Sequence, residues 1–106
     1  MNTRDKELWS AISTEIASRL AALRKNPLQN LPSQETVYSE EAIVLGKKVT
    51  FTHFKEVLPS GLMLVVVRAA VPAFLGMGWR GSEQGFVIES NGNIREATQK
   101  ELGYIL

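Results

Sequence analysis

An α+β fold, with a long N-terminal amphipathic helix packed on an antiparallel meander sheet of four or five strands and a short C-terminal helix, follows from three features of the 106-residue sequence. Apolar residues recur every four positions between Arg4 and Lys25, a stripe of helical period. Two turn signals, Leu58-Pro59-Ser60-Gly61 and Asn91-Gly92, each separate a pair of strand-like runs. Between them lies Leu62-Met63-Leu64-Val65-Val66-Val67-Arg68-Ala69-Ala70-Val71, so rich in valine and other apolar residues that it reads as a strand buried on both faces.

A chain of this length buries roughly two-thirds of its unfolded surface, enough for one domain (1–106) without a metal or disulfide to hold it together. Twelve Lys and Arg against 11 Asp and Glu leave a net charge of +1, and the basic residues are scattered, so no nucleic acid is expected as a partner. The absence of cysteine excludes disulfides, thiolate metal sites and a thiol nucleophile. Residues 1–7 alternate charge and lead into a helical pattern instead of the apolar core of a secretory signal, which predicts a cytoplasmic protein. Leu62 to Trp79 has the length of a short membrane span. Pro72, three consecutive valines and a central Arg68, costing about 2.5–3.5 kcal/mol in a bilayer, argue against one.

The helix is predicted over residues 4–25. Leu8, Ile12, Ile16 and Leu20 form its stripe, and Trp9 and Leu23 widen it. Arg24 and Lys25 complement the dipole, and Asn26-Pro27 ends the helix. A polar linker follows (26–41), then a sheet (42–97). Ala42–Leu45 reads as a short edge strand broken by Gly46. Lys48–Val57 alternates, with Val49, Phe51, His53 and Val57 on one side and Thr50, Thr52, Phe54 and Glu56 on the other. A turn symmetric about 58–61 pairs Phe51 with Arg68 and His53 with Val66 on one face, and Phe54 with Val65 and Thr52 with Val67 on the other. A single bulge exchanges the faces. Residues 72–84 have no consistent period and read as an irregular loop. Gly85–Ser90 and Asn93–Ala97 form the second hairpin, and Thr98-Gln99-Lys100-Glu101 spells a capping box that opens a last helix over 99–106.

Candidate chemistry is sparse. His53 is the single histidine, and any triad or metal site needs its other members from distant strands, so it reads as a packed side chain. Asp5 suits the helix dipole. Gly76, Gly78 and Gly81 spell GxGxxG but lead into a strand and not into a helix N-terminus, so no phosphate cradle is expected. Glu56, Glu83, Glu89 and Glu96 are not paired by strand parity. No catalytic residue, cofactor or metal is implied.

What remains is surface area. One helix covers one face, leaving Phe54, Met63, Val65, Val67 and Val71, with Phe74 and Trp79, as an apolar patch. That patch predicts a non-enzymatic interaction or subunit domain, most simply a two-fold homodimer with sheet packed on sheet. The alternative is a site for a small apolar anion between helix and sheet, lined by Trp9, Phe51, Leu64 and Val66 with His53 and Arg68 as its polar groups. A third reading makes the 72–84 segment, with Trp79-Arg80, the working surface.

Overall fold

In the computed structural model, which describes residues 3–25, 38–72 and 78–103, the apolar stripe forms helix α1 (Thr3–Lys25). Five strands follow: β1 (Tyr38–Val44), β2 (Lys47–Val57), β3 (Met63–Pro72), β4 (Trp79–Ile88) and β5 (Ile94–Glu96). They pair in sequence order, each antiparallel to the next, and a one-turn helix α2 (Gln99–Gly103) comes last. The fold is therefore α+β. Among the described residues no helix is long and apolar enough to cross a membrane, and Met63–Pro72 of the apolar stretch is strand.

The turn between β2 and β3 sets the faces. Gly61 N–H donates to the Leu58 carbonyl (2.8 Å) and Leu58 N–H to the Leu62 carbonyl (2.8 Å), so Pro59, Ser60 and Gly61 are all loop, with Gly61 at φ +87°. The left-handed glycine adds one residue to a symmetric two-residue turn. The register moves by one. Phe51 lies opposite Ala69, His53 opposite Val67, Phe54 opposite Val66 and Thr52 opposite Arg68. This corrects the sequence-based pairing, and because side chains alternate with period two it exchanges the faces of the whole strand.

One face consequently carries Val49, Phe51, Val65, Val67, Ala69, Val71 and Phe86, which pack with Leu8, Ile12, Ile16 and Leu20 of α1. The other carries Phe54, Leu64, Val66 and Val87, sealed by Leu58 and by Leu102 of α2, with Leu62 and Ala97 at the margin. Both sides of the valine strand are thus covered by the chain itself.

Two other boundaries differ from expectation. β1 begins at Tyr38, inside the expected linker, because an exposed edge strand needs no apolar alternation while β2 offers it a ladder along Lys47–His53. β4 takes in Trp79–Gln84 of the expected irregular loop, since β3 runs to Pro72 and its backbone groups require a partner as far as Pro72↔Trp79. Gly78, at φ +107°, releases the chain into this strand and Gly81 lies within it. The expected linker up to residue 37, Phe74, Gly76 and the tail from 104 to 106 lie outside the described residues.

Two backbone positions generate expected outcomes. The β1–β2 turn puts Leu45 at φ 46° before Gly46 at φ 78°, a type I′ pattern that favours Asn at the first position. Leu45 is also exposed, so Leu45→Asn raises stability by about 1 kcal/mol in urea denaturation. In the opposite sense, a Cβ on Gly85 lies 2.5 Å from the Val65 carbonyl oxygen and 3.3 Å from Leu102 Cδ2. Gly85→Ala accordingly costs about 2 kcal/mol by the same measurement.

Candidate functional site

Among the described residues the sheet leaves two stretches of backbone unpaired, the outer edge of β1 and the outer edge of the first half of β4. Strand β5 pairs only with Phe86–Ile88, because the turn at 90–92 and the cap at Thr98 leave Asn93–Ala97 for the returning strand. Beyond it, Ala97 N–H still reaches the Gly85 carbonyl (3.0 Å), so the backbone of Gly85 faces outward. By strand alternation the N–H and C=O groups of Glu83, Gly81 and Trp79 face the same way. Among the described residues no strand pairs with them.

Each helix walls one side of this edge. A hollow of about 380 Å³ spans the edge, from Ala17, Leu20, Ala21 and Arg24 of α1 across Glu83, Gln84 and Gly85 of β4 to Ala97 and to Gln99 and Leu102 of α2. The small side chains of Ala17 and Ala21 keep it open. A second hollow, of about 420 Å³, lies among Arg68, Gly81, Glu83 and Gln99. Arg68 donates from Nε to Glu83 Oε2 (3.1 Å) and sits 5.3 Å from the centre of the Phe54 ring, but its buried Nη2 has no acceptor among the described residues. A buried guanidinium donor left unmatched is costly.

Helix α2 is held in place by charge and by its cap. Thr98 N–H donates to Glu101 Oε1 (2.9 Å) and Glu101 N–H to Thr98 Oγ1 (3.1 Å), the predicted capping box. Arg95 of β5 grips both carboxylate oxygens of Glu101, each at 2.8 Å. Those hydrogen bonds, followed by the Thr98 backbone N–H, pull the Glu101 pKa down to about 2.

A second polar cluster lies where α1 crosses β1 and β2. Arg19 donates from Nε to Glu15 (2.9 Å), from Nη2 to Glu40 (2.8 Å) and from Nη1 to His53 Nε2 (3.2 Å), while its guanidinium lies 4.2 Å from the centre of the Phe51 ring. Tyr38 packs against the imidazole at 5.5 Å between ring centres and hydrogen-bonds Glu40 (3.2 Å). Accepting at Nε2 makes His53 the neutral Nδ1–H tautomer. Burial first, then the Arg19 charge, hold its pKa below the ordinary value of 6.5. The contacts of Arg19 with Glu40, His53 and Phe51 tie the helix to the sheet, and the others hold the cluster together within the helix or within the sheet. Among the described residues no three of His, Cys, Asp and Glu come together to hold a metal.

The residues singled out from the sequence are divided by the register. Val65, Val67 and Val71 are beneath α1, Phe54 is in the opposite core, Met63 is half-buried and Trp79 is 65% exposed. The continuous patch expected of Phe54, Met63, Val65, Val67 and Val71 is not formed, since parity puts Phe54 on the far side of the sheet from the others. The expected ligand set is divided likewise: Trp9, Phe51 and His53 are on the helix side, and Leu64, Val66 and Arg68 on the other. Arg68 alone of these lines the open edge. Ala17, Ala21, Gln84 and Gln99 were not singled out, although the short interval between Gly92 and Thr98 already limits how much of β4 can be paired. Comparison of the chain with protein-family models, with curated proteins and with solved structures finds no match, and no residue role is carried over from a relative.

Two of the shifted side chains, His53 and Glu101, predict how stability follows pH, with Glu40, lowered by its hydrogen bond to Arg19, adding to the acid window. His53 has a lower pKa folded than unfolded, so the unfolded chain takes the proton first. Its contribution is whole above about pH 6.5 and is lost as pH falls through the depressed value. Glu101 contributes above about pH 4.5 and loses its contribution as pH falls toward about 2. In thermal melts across this range, His53→Gln flattens the upper window alone and Glu101→Gln reduces the slope in the lower one.

Proposed function

We propose that this chain is a small non-enzymatic interaction domain that recognises an extended segment of a partner protein by adding it as a strand to the free edge of β4. The supporting observation is the edge itself: outward-facing backbone from Trp79 to Glu83, beside one hollow that reaches from α1 to α2 and a second one at Arg68. Side chains of an added strand alternate between the two faces. One set meets Leu20 and the small alanines of α1 and favours modest apolar residues. The other set meets Arg68 and Gln99 and favours a carboxylate or amide oxygen, a partner for the exposed part of the guanidinium.

A partner is favoured over a second copy. The sheet-on-sheet dimer expected from Val65, Val67 and Val71 has lost its patch to α1. Self-pairing of the other free edge, β1, about its midpoint sets Glu41 against Glu41 of the second copy. Joining β1 of one copy to β4 of the next gives an open-ended assembly with no closed symmetry.

The probe is acetyl-Thr-Val-Glu-Val-Glu-Val-Thr-amide, with hydrogen exchange and light scattering as readouts. The peptide is expected to protect the amides of Gly81 and Glu83 while the protein remains a monomer. Methylating the alternate peptide nitrogens that face β4 abolishes binding, methylating the other set leaves it, and Ala21→Arg weakens it at least about tenfold by filling the hollow. Unprotected Gly81 and Glu83 amides, equal loss with both methylated sets, or concentration-dependent assembly through this edge overturns the proposal.

A further inference from the structure

A separate hollow of about 290 Å³ lies at the other end of the helix–sheet interface, among Asp5, Leu8 and Trp9 of α1, Lys47 of β2, Val71 and Pro72 of β3 and Arg80 of β4, so that one carboxylate stands in it against two cations. Three features set it apart. Its walls are apolar, from Leu8, Val71, Pro72 and the indole. Two cations, Lys47 and Arg80, stand at its rim, both exposed. The Trp9 indole Nε1, a donor only, is buried and has no hydrogen-bond partner among the described residues.

We infer that this hollow binds a small apolar carboxylate, its oxygens between Arg80 and Lys47, its hydrocarbon body against Leu8, Val71 and Pro72, and one oxygen accepting from Trp9 Nε1 only after the Arg80 side chain has moved off the indole and uncovered it. Arg80 now lies 5.3 Å from the centre of the Trp9 ring and reaches Asp5 only at 3.8 Å, longer than a charge-assisted hydrogen bond. It is nearly half exposed, so it can swing off the indole toward an anion at little cost. The ligand's carboxylate then competes with that of Asp5, and the advantage of the ligand is the indole N–H and the apolar wall. A bare anion has only the two cations and is held more weakly. The site uses the side chain of Arg80, whose backbone pairs with Val71, and none of the outward-facing backbone of β4, so it stands or falls independently of strand addition.

The test uses benzoate as probe, with inorganic phosphate and acetate as the competing chemistries, and follows the two indole N–H resonances by NMR, assigned with Trp79→Phe. Benzoate is expected to move the Trp9 indole resonance downfield and saturably, with the Trp79 resonance unmoved and acetate and phosphate each weaker by at least about tenfold. Arg80→Gln and Lys47→Gln each weaken benzoate by a similar factor, while their unliganded spectra keep the dispersion of the parent protein. A Trp9 resonance that does not respond to benzoate, an equal response in Arg80→Gln, or phosphate or acetate binding as tightly as benzoate overturns the inference.

Discussion

Leu64, Val65, Val66 and Val67 are consecutive, and all four are fully buried. A strand directs successive side chains to opposite faces, so this run requires cover on both sides of the sheet at the same level. The 23-residue helix α1 supplies one cover. On the other side, among the described residues, the cover comes from the tight turn at Leu58 and the five residues of α2. The path of the remaining elements follows from that two-sided demand.

Helix α2 is far below the roughly 12–15 residues at which an isolated helix becomes even marginally stable. It persists through tertiary support: the reciprocal Thr98–Glu101 cap, the two-pronged Arg95–Glu101 pair and the burial of Leu102 over Gly85. Because Arg95 is on β5 and Gly85 on β4, the support comes from the strands beside the unpaired segment. The interactions that close the second core therefore also place a wall next to an open sheet edge. A sheet edge with helices on both flanks differs from a flat, unprotected one: it admits a strand in one place and restricts lateral association elsewhere.

Several elements were legible from residue order. The four-residue recurrence of Leu8, Ile12, Ile16 and Leu20 was sufficient for α1, and the Thr98-to-Glu101 spacing for the cap of α2, because both are set by contacts within a turn or two. Tyr38–Glu41 and Arg80–Gln84 were not legible as strand. Polar edge residues carry no apolar period, and their conformation is imposed by hydrogen-bonding partners distant in sequence. Arg68 stood out as the charge in an apolar run, but its neighbours in the site, Gly81 and Gln99, come from strands and turns that only pairing brings together.

By itself the sequence determined the helical stripe, the two later hairpins, the capping box and the two-sided burial of the valine strand, all of which depend on local dihedral preference and on periodicity. Tertiary structure alone decided which residues share a face. Gly61 in the left-handed region lengthens one turn by a residue, and because strand side chains alternate, that single residue moves Val65 and Val67 beneath α1 and leaves Phe54 and Arg68 on the opposite side.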